Sequence, residues 1–83
     1  MAVLHNVGAQ LEKIDQQIIN LIEHRIQLCQ DALEEDSEAL SAAHDAETVA
    51  FWTAEADQRG IDETGLEKVC KSVLGLCKKM GES

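Results

Sequence analysis

The chain is short, rich in helix-forming residues and strongly acidic, and these properties exclude several classes of protein. An 83-residue chain has room for one domain, and alone it buries little more than about 60% of its unfolded surface, so oligomerisation would help it to fold. Proline and tyrosine are absent and Phe and Trp occur once each, which favours helices and gives no indication of a sheet. A formal charge of −9 repels nucleic acid and anionic lipid, so neither is an expected partner.

The sequence has no recognisable membrane span or secretion signal. No apolar run approaches the roughly 18 residues that a spanning helix needs. The start, from Met1 to His5, lacks the basic segment and apolar core of a signal peptide. We therefore expect a cytoplasmic protein.

The first predicted element is a long helix over residues 4–36, marked by a heptad seam of mostly apolar residues. The seam consists of Leu4, Val7, Leu11, Ile14, Ile18, Leu21, Arg25, Leu28 and Ala32. A second apolar stripe lies beside it and comprises Ile19, Ile22, Ile26, Cys29 and Leu33. The middle of this helix therefore has two faces to bury, which is more than one neighbouring helix can cover.

The predicted length of this helix implies a partner. About 33 residues at roughly 1.5 Å each make a rod near 50 Å long, whereas a compact chain of this size is only about 30 Å across. The helix must therefore project from its own globule, and a symmetry mate would cover the projecting stripe most simply. We predict a twofold homodimer with exchanged helices.

The end of the first helix is the least well marked boundary. Between Asp36 and His44 there is neither proline nor glycine, and only Ser37 and Ser41 are candidate N-caps, beside an acidic cluster over residues 34–38. We predict the break at about residues 37–42. The alternative is one uninterrupted helix to Arg59, which would be longer than about fifty residues and so far beyond the usual length.

The second and third helices have clearer boundaries. Helix two is predicted over residues 42–59 and ends at Gly60, which suits a left-handed C-terminal cap. Asp62 is the predicted N-cap of helix three, residues 63–80, with Ile61 and Leu66 as a hydrophobic staple. Lys78 complements the dipole in its last turns. The prediction is a single all-α domain over residues 1–83, one long helix followed by two shorter ones.

Arg25 is the residue that breaks the apolar seam. Burying its guanidinium between Leu21 and Leu28 is costly unless an anion or a carboxylate compensates. Two interpretations stay open. Arg25 reaches the edge of the interface or pairs with a nearby Glu or Asp, or else it binds an anionic ligand.

The cysteines and histidines do not form a recognisable metal or disulfide motif. The three cysteines, an odd number without a CxxC pair, are Cys29, Cys70 and Cys77. We expect them to be small hydrophobic residues on helix faces. The histidines are His5, His24 and His44. Because no two histidines stand four residues apart, we expect no metal site.

Two motifs resemble those of a known family. The first-helix motif reads Ile14-Asp15-x-x-Ile18-Ile19-x-Leu21-Ile22-x-x-Arg25, and the later turn reads Gly60-Ile61-Asp62. With the long-short-short order of helices, they resemble the all-helical, type II class of chorismate mutases over nearly the whole chain. The resemblance implies an intertwined dimer with active sites among its helices. It also implies an isomerase of the shikimate pathway that rearranges chorismate to prephenate without a cofactor.

The site of that family matches this chain cleanly at only one position. The arginine that contacts a substrate carboxylate in mid-helix matches Arg25. The arginine that the other subunit contributes falls on Gly8, and the lysine that donates toward the ether oxygen falls on Asp36. The arginine and glutamate that open helix two, and the glutamine or glutamate late in helix three, fall on His44, Asp45 and Gly81.

The resulting balance of charge disfavours a dianionic substrate. The candidate ligand-binding residues are Arg25, Asp36, His44 and Asp45, and two of these are carboxylates. An anion about 4 Å from a bound carboxylate is unfavourable by roughly 4 kcal/mol at an effective dielectric near 20. We therefore expect little or no mutase activity on chorismate.

Three functional interpretations stay open. The first is a catalytically impaired chorismate mutase homologue, a homodimer that binds a small ligand through Arg25 in an inter-helix pocket. The second is an active isomerase or lyase of the same fold that acts on chorismate or a related, less anionic substrate, with Arg25, His44 and Asp45 as the polar groups. The third is a non-catalytic dimerisation module, or a regulator of a larger partner enzyme, in which Arg25 only sets the register.

Overall fold

The computed structural model consists of three α-helices joined by two short connections. It describes residues 2–36, 38 and 40–82, with side chains over 6–36, 38 and 40–79. Helix α1 spans Ala2–Glu35, α2 spans Ala42–Arg59 and α3 spans Glu63–Glu82, and these described residues contain no strand. The predicted all-α class and the three helices are confirmed, and the alternative of one helix from the N-terminus to Arg59 is wrong.

The turn after α1 is made by a short local hydrogen bond rather than by glycine or proline. Asp36 Oδ1 accepts from the backbone N–H of Glu38 at 3.0 Å, and such local side-chain bonds compete with helix continuation. Helix α2 then begins at its N-cap Ser41, whose Oγ accepts from the His44 N–H at 3.4 Å. Of the two serines predicted as caps, Ser41 has this role, and Ser37 lies outside the described residues.

Gly60 ends α2 and Asp62 begins α3, as predicted. Gly60 has φ 72° and ψ 26°, a left-handed conformation that glycine adopts without the penalty a Cβ would bring. The N–H of Ile61 donates to the carbonyl of Ala56 at 2.8 Å and closes the end of α2. Asp62 Oδ2 accepts from the backbone N–H of Gly65 at 2.7 Å, which satisfies a donor of the first turn of α3.

The core lies along α3, which packs against both other helices. Within the described residues no Cα atom of α1 lies within 8 Å of a Cα atom of α2. The buried apolar side chains there are Cys29, Ala56, Cys70, Val73 and Cys77. All are small or medium in size, and no described Leu, Ile, Phe or Trp is fully buried. A single chain therefore removes little apolar area from water.

The N-terminal half of α1 projects from this core, as the predicted length of the helix requires. We call residues 6–21 the arm, and every side chain in it is exposed. The longest dimension is 53 Å and the radius of gyration is 15.7 Å, against about 12 Å for a compact chain of this length. The exposed seam residues of the arm are Val7, Leu11, Ile14, Ile18 and Leu21, at 41–67% exposure.

The side chains of Leu4 and His5, which the sequence assigned to the seam and to the histidines, lie outside the described residues. No helix in the described part of the chain combines the length and the apolar character that a membrane crossing requires.

Candidate functional site

Arg25 lies where α1 meets α3, and its partners are sulfur atoms. Arg25 Nη1 donates to Cys77 Sγ at 3.0 Å and to Cys29 Sγ at 3.6 Å. Cys29 Sγ in turn donates to Cys77 Sγ at 3.1 Å. We call these three residues the thiol cluster. No carboxylate among the described residues pairs with Arg25, so the Glu or Asp partner considered from the sequence is not found there.

The thiol cluster forms because the apolar faces of two helices meet. Arg25 and Cys29 are four residues apart and so share one face of α1. Cys77 lies on the buried face of α3, together with Cys70 and Val73. The sulfur atom accepts a hydrogen bond from an N–H group of the weakly hydrated guanidinium. Burying this N–H group with a sulfur acceptor costs less free energy than burying it without a partner.

The cluster perturbs the Cys29 thiol strongly. Burial raises the pKa of Cys29 to about 11, with further contributions from its hydrogen bond to Cys77 and from repulsion by that residue, while the positive charge of Arg25 opposes them. Cys29 is therefore a protonated S–H donor at neutral pH. Burial also raises the pKa of the Cys70 thiol, seven residues before Cys77 on α3.

A small cavity of about 70 Å³ adjoins the thiol cluster. Its lining comprises Arg25, Cys29, Leu33, Leu40, His44, Asp45, Leu74, Cys77 and Lys78. Lys78 Nζ lies 2.6 Å from Asp45 Oδ2, and the two side chains are 61% and 17% exposed. Pockets for drug-sized ligands have volumes of about 300 Å³ or more, so this cavity has room only for species the size of a few water molecules.

Three of the four predicted ligand residues lie at this cavity and one does not. Arg25, His44 and Asp45 line it. Asp36 is exposed at the end of α1, where its carboxylate accepts from the backbone. Gly8 lies on the arm, about 25 Å along the helix from Arg25 at the usual rise per residue.

A second concave surface is an apolar groove at the base of the arm, with a volume of about 340 Å³. Its lining comprises Ile18, Leu21, Ile22, Arg25, Trp52, Val69 and Val73. Leu21 is 67% exposed and Val69 is 50% exposed, so the groove is open to solvent. Arg25 thus lies between the groove and the small cavity.

Sequence reasoning missed Cys29, Cys77 and Lys78 as parts of the site. It assigned the two cysteines to apolar helix faces, where they do lie, and Lys78 to the end of α3. Their contacts with one another and with Asp45 join residues tens of positions apart. The available signal was a cysteine on the apolar face of each of two helices that must pack together.

The fold and the site define an all-α chain of three helices in which an arginine contacts two thiols. Among the described residues, no group of three or more His, Cys, Asp or Glu side chains is placed to hold a metal ion. No protein-family model, curated protein or solved structure matches this chain.

Proposed function

We propose that this chain is a chorismate mutase-like helical homodimer with little or no mutase activity, in which the arm of each copy packs against the other copy. The observation that carries the proposal is the exposed seam of the arm. Its five aliphatic side chains are 41–67% exposed, on a stretch of α1 in which every side chain is exposed.

The energy available from covering the arm is of the size that association needs. Fully burying a Leu or Ile is worth about 1.5–3 kcal/mol, so a half-exposed one has about 1 kcal/mol still to gain. Five such residues on each of two copies contribute about 10 kcal/mol, which is comparable with the roughly 4–15 kcal/mol cost of association. The small core of the single chain supports the same conclusion, because burial within one chain stabilises it little.

The distribution of charge also favours a second copy as the partner of the arm. The arm carries Lys13 against Glu12 and Asp15, whereas the rest of the chain carries six basic and fourteen acidic side chains. The arm is therefore nearly neutral on a molecule of net charge −9. Two copies that meet through their arms avoid most of the repulsion that their other surfaces would cause.

The apolar groove offers the arm of the second copy a complementary surface. All of its lining is apolar except Arg25, and it includes Trp52, the single tryptophan of the chain. In such a dimer Arg25 lies at the edge of the interface, which limits the cost of its charge.

The site supports little mutase activity for four reasons. Gly8 has no side chain where the family has an arginine, and Asp36 stands where the family has a lysine. Arg25, the one match, donates to Cys77 and Cys29. The small cavity beside it also has too little volume for a cyclic dicarboxylate.

A second candidate function is an active isomerase or lyase of the same fold, and the position of Lys78 favours it. Lys78 brings a second cation to the cavity wall beside Arg25, against the single carboxylate of Asp45. With Lys78 included, the charges at the cavity disfavour a bound anion less than the charges of the four candidate residues alone. Incubating the purified protein with chorismate and isochorismate distinguishes the candidates, because turnover at an ordinary enzymatic rate would establish the second.

The homodimer itself is tested by light scattering and by Trp52 fluorescence over a dilution series. We expect a particle of twice the 9.1 kDa chain mass, with Trp52 emission shifting to longer wavelength as dilution separates the copies and opens the groove to water. A monodisperse 9.1 kDa particle at all concentrations would contradict the proposal. A dimer whose Trp52 emission stays constant on dissociation would place the interface elsewhere.

A further inference from the structure

Cys29 and Cys77 form a pair of thiols that the proposed function does not use. They belong to different helices and are 48 positions apart, yet their sulfur atoms are 3.1 Å apart. Both side chains are buried, at 8% and 3% exposure. A disulfide needs sulfur atoms about 2.0 Å apart, so the two sulfur atoms must approach each other by only about 1 Å to bond.

We propose that Cys29 and Cys77 are a peroxide-reactive dithiol site, in which hydrogen peroxide oxidises Cys77 and Cys29 then closes an intrachain disulfide between α1 and α3. The site does not depend on the proposed dimer, because both sulfur atoms belong to one chain.

The environment of Cys77 favours it as the sulfur that reacts first. Its Sγ accepts hydrogen bonds from Arg25 at 3.0 Å and from Cys29 at 3.1 Å, so negative charge that develops on this sulfur is stabilised from two sides. Cys29 keeps its proton because burial raises its pKa to about 11. The first attack therefore falls to Cys77, and Cys29 attacks in the second step as its proton passes to the departing hydroxide.

The size of the adjoining cavity selects the oxidant. A volume of about 70 Å³ admits a molecule as small as hydrogen peroxide, which is comparable with two water molecules. It excludes bulky disulfides such as oxidised glutathione. The lining includes exposed His44 and Lys78, so the cavity communicates with solvent.

The disulfide forms in two steps. The Cys77 sulfur attacks one oxygen of hydrogen peroxide, the O–O bond breaks, and the leaving hydroxide takes the thiol proton to give water and Cys77 sulfenic acid. The Cys29 sulfur then attacks the Cys77 sulfur, and its proton passes to the departing hydroxide to give a second water. Two electrons pass from the thiols to the peroxide, so each chain consumes one peroxide molecule.

The disulfide would close a loop that contains the whole of α2 and the first turns of α3. Closing a loop of about fifty residues restricts the unfolded chain substantially. For a domain of this size we expect the oxidised protein to unfold at a Tm higher by about 10 °C or more.

Tryptic digestion tests the proposal sharply because each cysteine falls in a different peptide. Cleavage at Lys and Arg places Cys29 in 26–59, Cys70 in 69–71 and Cys77 in 72–78. After treatment with a small excess of hydrogen peroxide and alkylation, we expect a linked peptide of 26–59 with 72–78, and alkylated Cys70. In denaturant the free thiols should fall from three to one per chain, and the mass should remain that of one chain.

Matched variants separate the proposal from nonspecific oxidation. Cys70→Ala should still form the linked peptide, whereas Cys29→Ser and Cys77→Ser should not. Arg25→Gln should slow formation of the disulfide by about tenfold or more, because the charge that stabilises the reacting sulfur is lost. Alkylation of Cys29 and Cys77 after peroxide treatment, a link to Cys70, a link between two chains, or an unchanged rate in Arg25→Gln would each overturn the proposal.

Discussion

The raised pKa of Cys29 predicts that this protein loses stability at alkaline pH. A pKa of about 11 in the folded chain, against an ordinary value near 9, corresponds to about 3 kcal/mol of preference for the neutral thiol. Because the folded pKa lies above the unfolded one, the stabilising contribution is complete below about pH 9 and is lost as the pH rises through about 11. Against a total stability of a few kcal/mol for so small a domain, this loss is large.

The assay is urea unfolding followed by far-UV circular dichroism in reducing buffer, at several pH values from about 8 to 11. Cys29→Ser is the matched control, because its hydroxyl can still donate to Cys77 but does not titrate in this range. Between pH 8 and pH 11 we expect the free energy of unfolding of the wild type to fall by about 2 kcal/mol more than that of Cys29→Ser. The other groups that titrate at high pH, Cys70 among them, are common to both proteins. Parallel curves would refute the reasoning that burial holds Cys29 in its neutral form.

Three smaller perturbations test the helix ends and the surface of the cavity by thermal unfolding. Gly60→Ala should lower the free energy of unfolding by about 1–2 kcal/mol, because alanine is strained in the left-handed conformation of this residue. No steric clash adds to this cost, since a Cβ there meets no atom within 4 Å. An unchanged Tm would contradict the left-handed cap. Asp62→Ala should cost about 1 kcal/mol, while Asp62→Asn should keep most of the stability, and equal losses in both would mean that the carboxylate acts through its charge. Lys78→Ala should cost less than about 1 kcal/mol, since the pair with Asp45 is largely open to solvent on the lysine side; a much larger loss would indicate a buried ion pair.

The helix boundaries were predictable where a residue has one dominant backbone preference. Gly60 and Asp62 mark a turn because one tolerates left-handed backbone and the other caps a helix, and the structure uses both in these ways. The end of α1 was harder to predict because it depends on the Asp36 side chain competing for a backbone N–H. Within a continuous helix the same side chain can point to solvent instead, so the residue type alone does not mark the break.

The candidate site was predictable only in part, because its contacts are between distant residues. Arg25 stood out as a charge in an apolar seam, and a partner was required. Its partner is Cys77, 52 positions away. This pairing depends on how α3 is rotated about its axis relative to α1, and the periodicity of the sequence determines that rotation only to within a residue or two. The sequence pattern identifies the two apolar faces, whereas the pairing of individual atoms across them is set by packing.

The two halves of α1 have different surroundings, and each of the two proposals depends on a different half. From Arg25 onward the helix packs on α3 and contributes Cys29 to the core. Before Arg25 the arm is exposed along its whole length. The dithiol proposal depends on the packed half, and the dimer proposal depends on the exposed half, so each can be tested with the other left intact.

The most direct test of the dimer is sedimentation equilibrium of Leu11→Glu beside Gln16→Glu. Leu11 is 55% exposed on the seam, and Gln16 lies on the opposite face of the same exposed arm, so both variants add one glutamate to each arm. Because the dimer is twofold symmetric, its interface contains each substitution twice. A loss of about 1 kcal/mol per copy therefore raises the dissociation constant of the dimer by at least about 30-fold. We predict this weakening for Leu11→Glu and near wild-type association for Gln16→Glu. Equal association of both variants, or a wild type that sediments as a 9.1 kDa monomer, would contradict assembly through the arm.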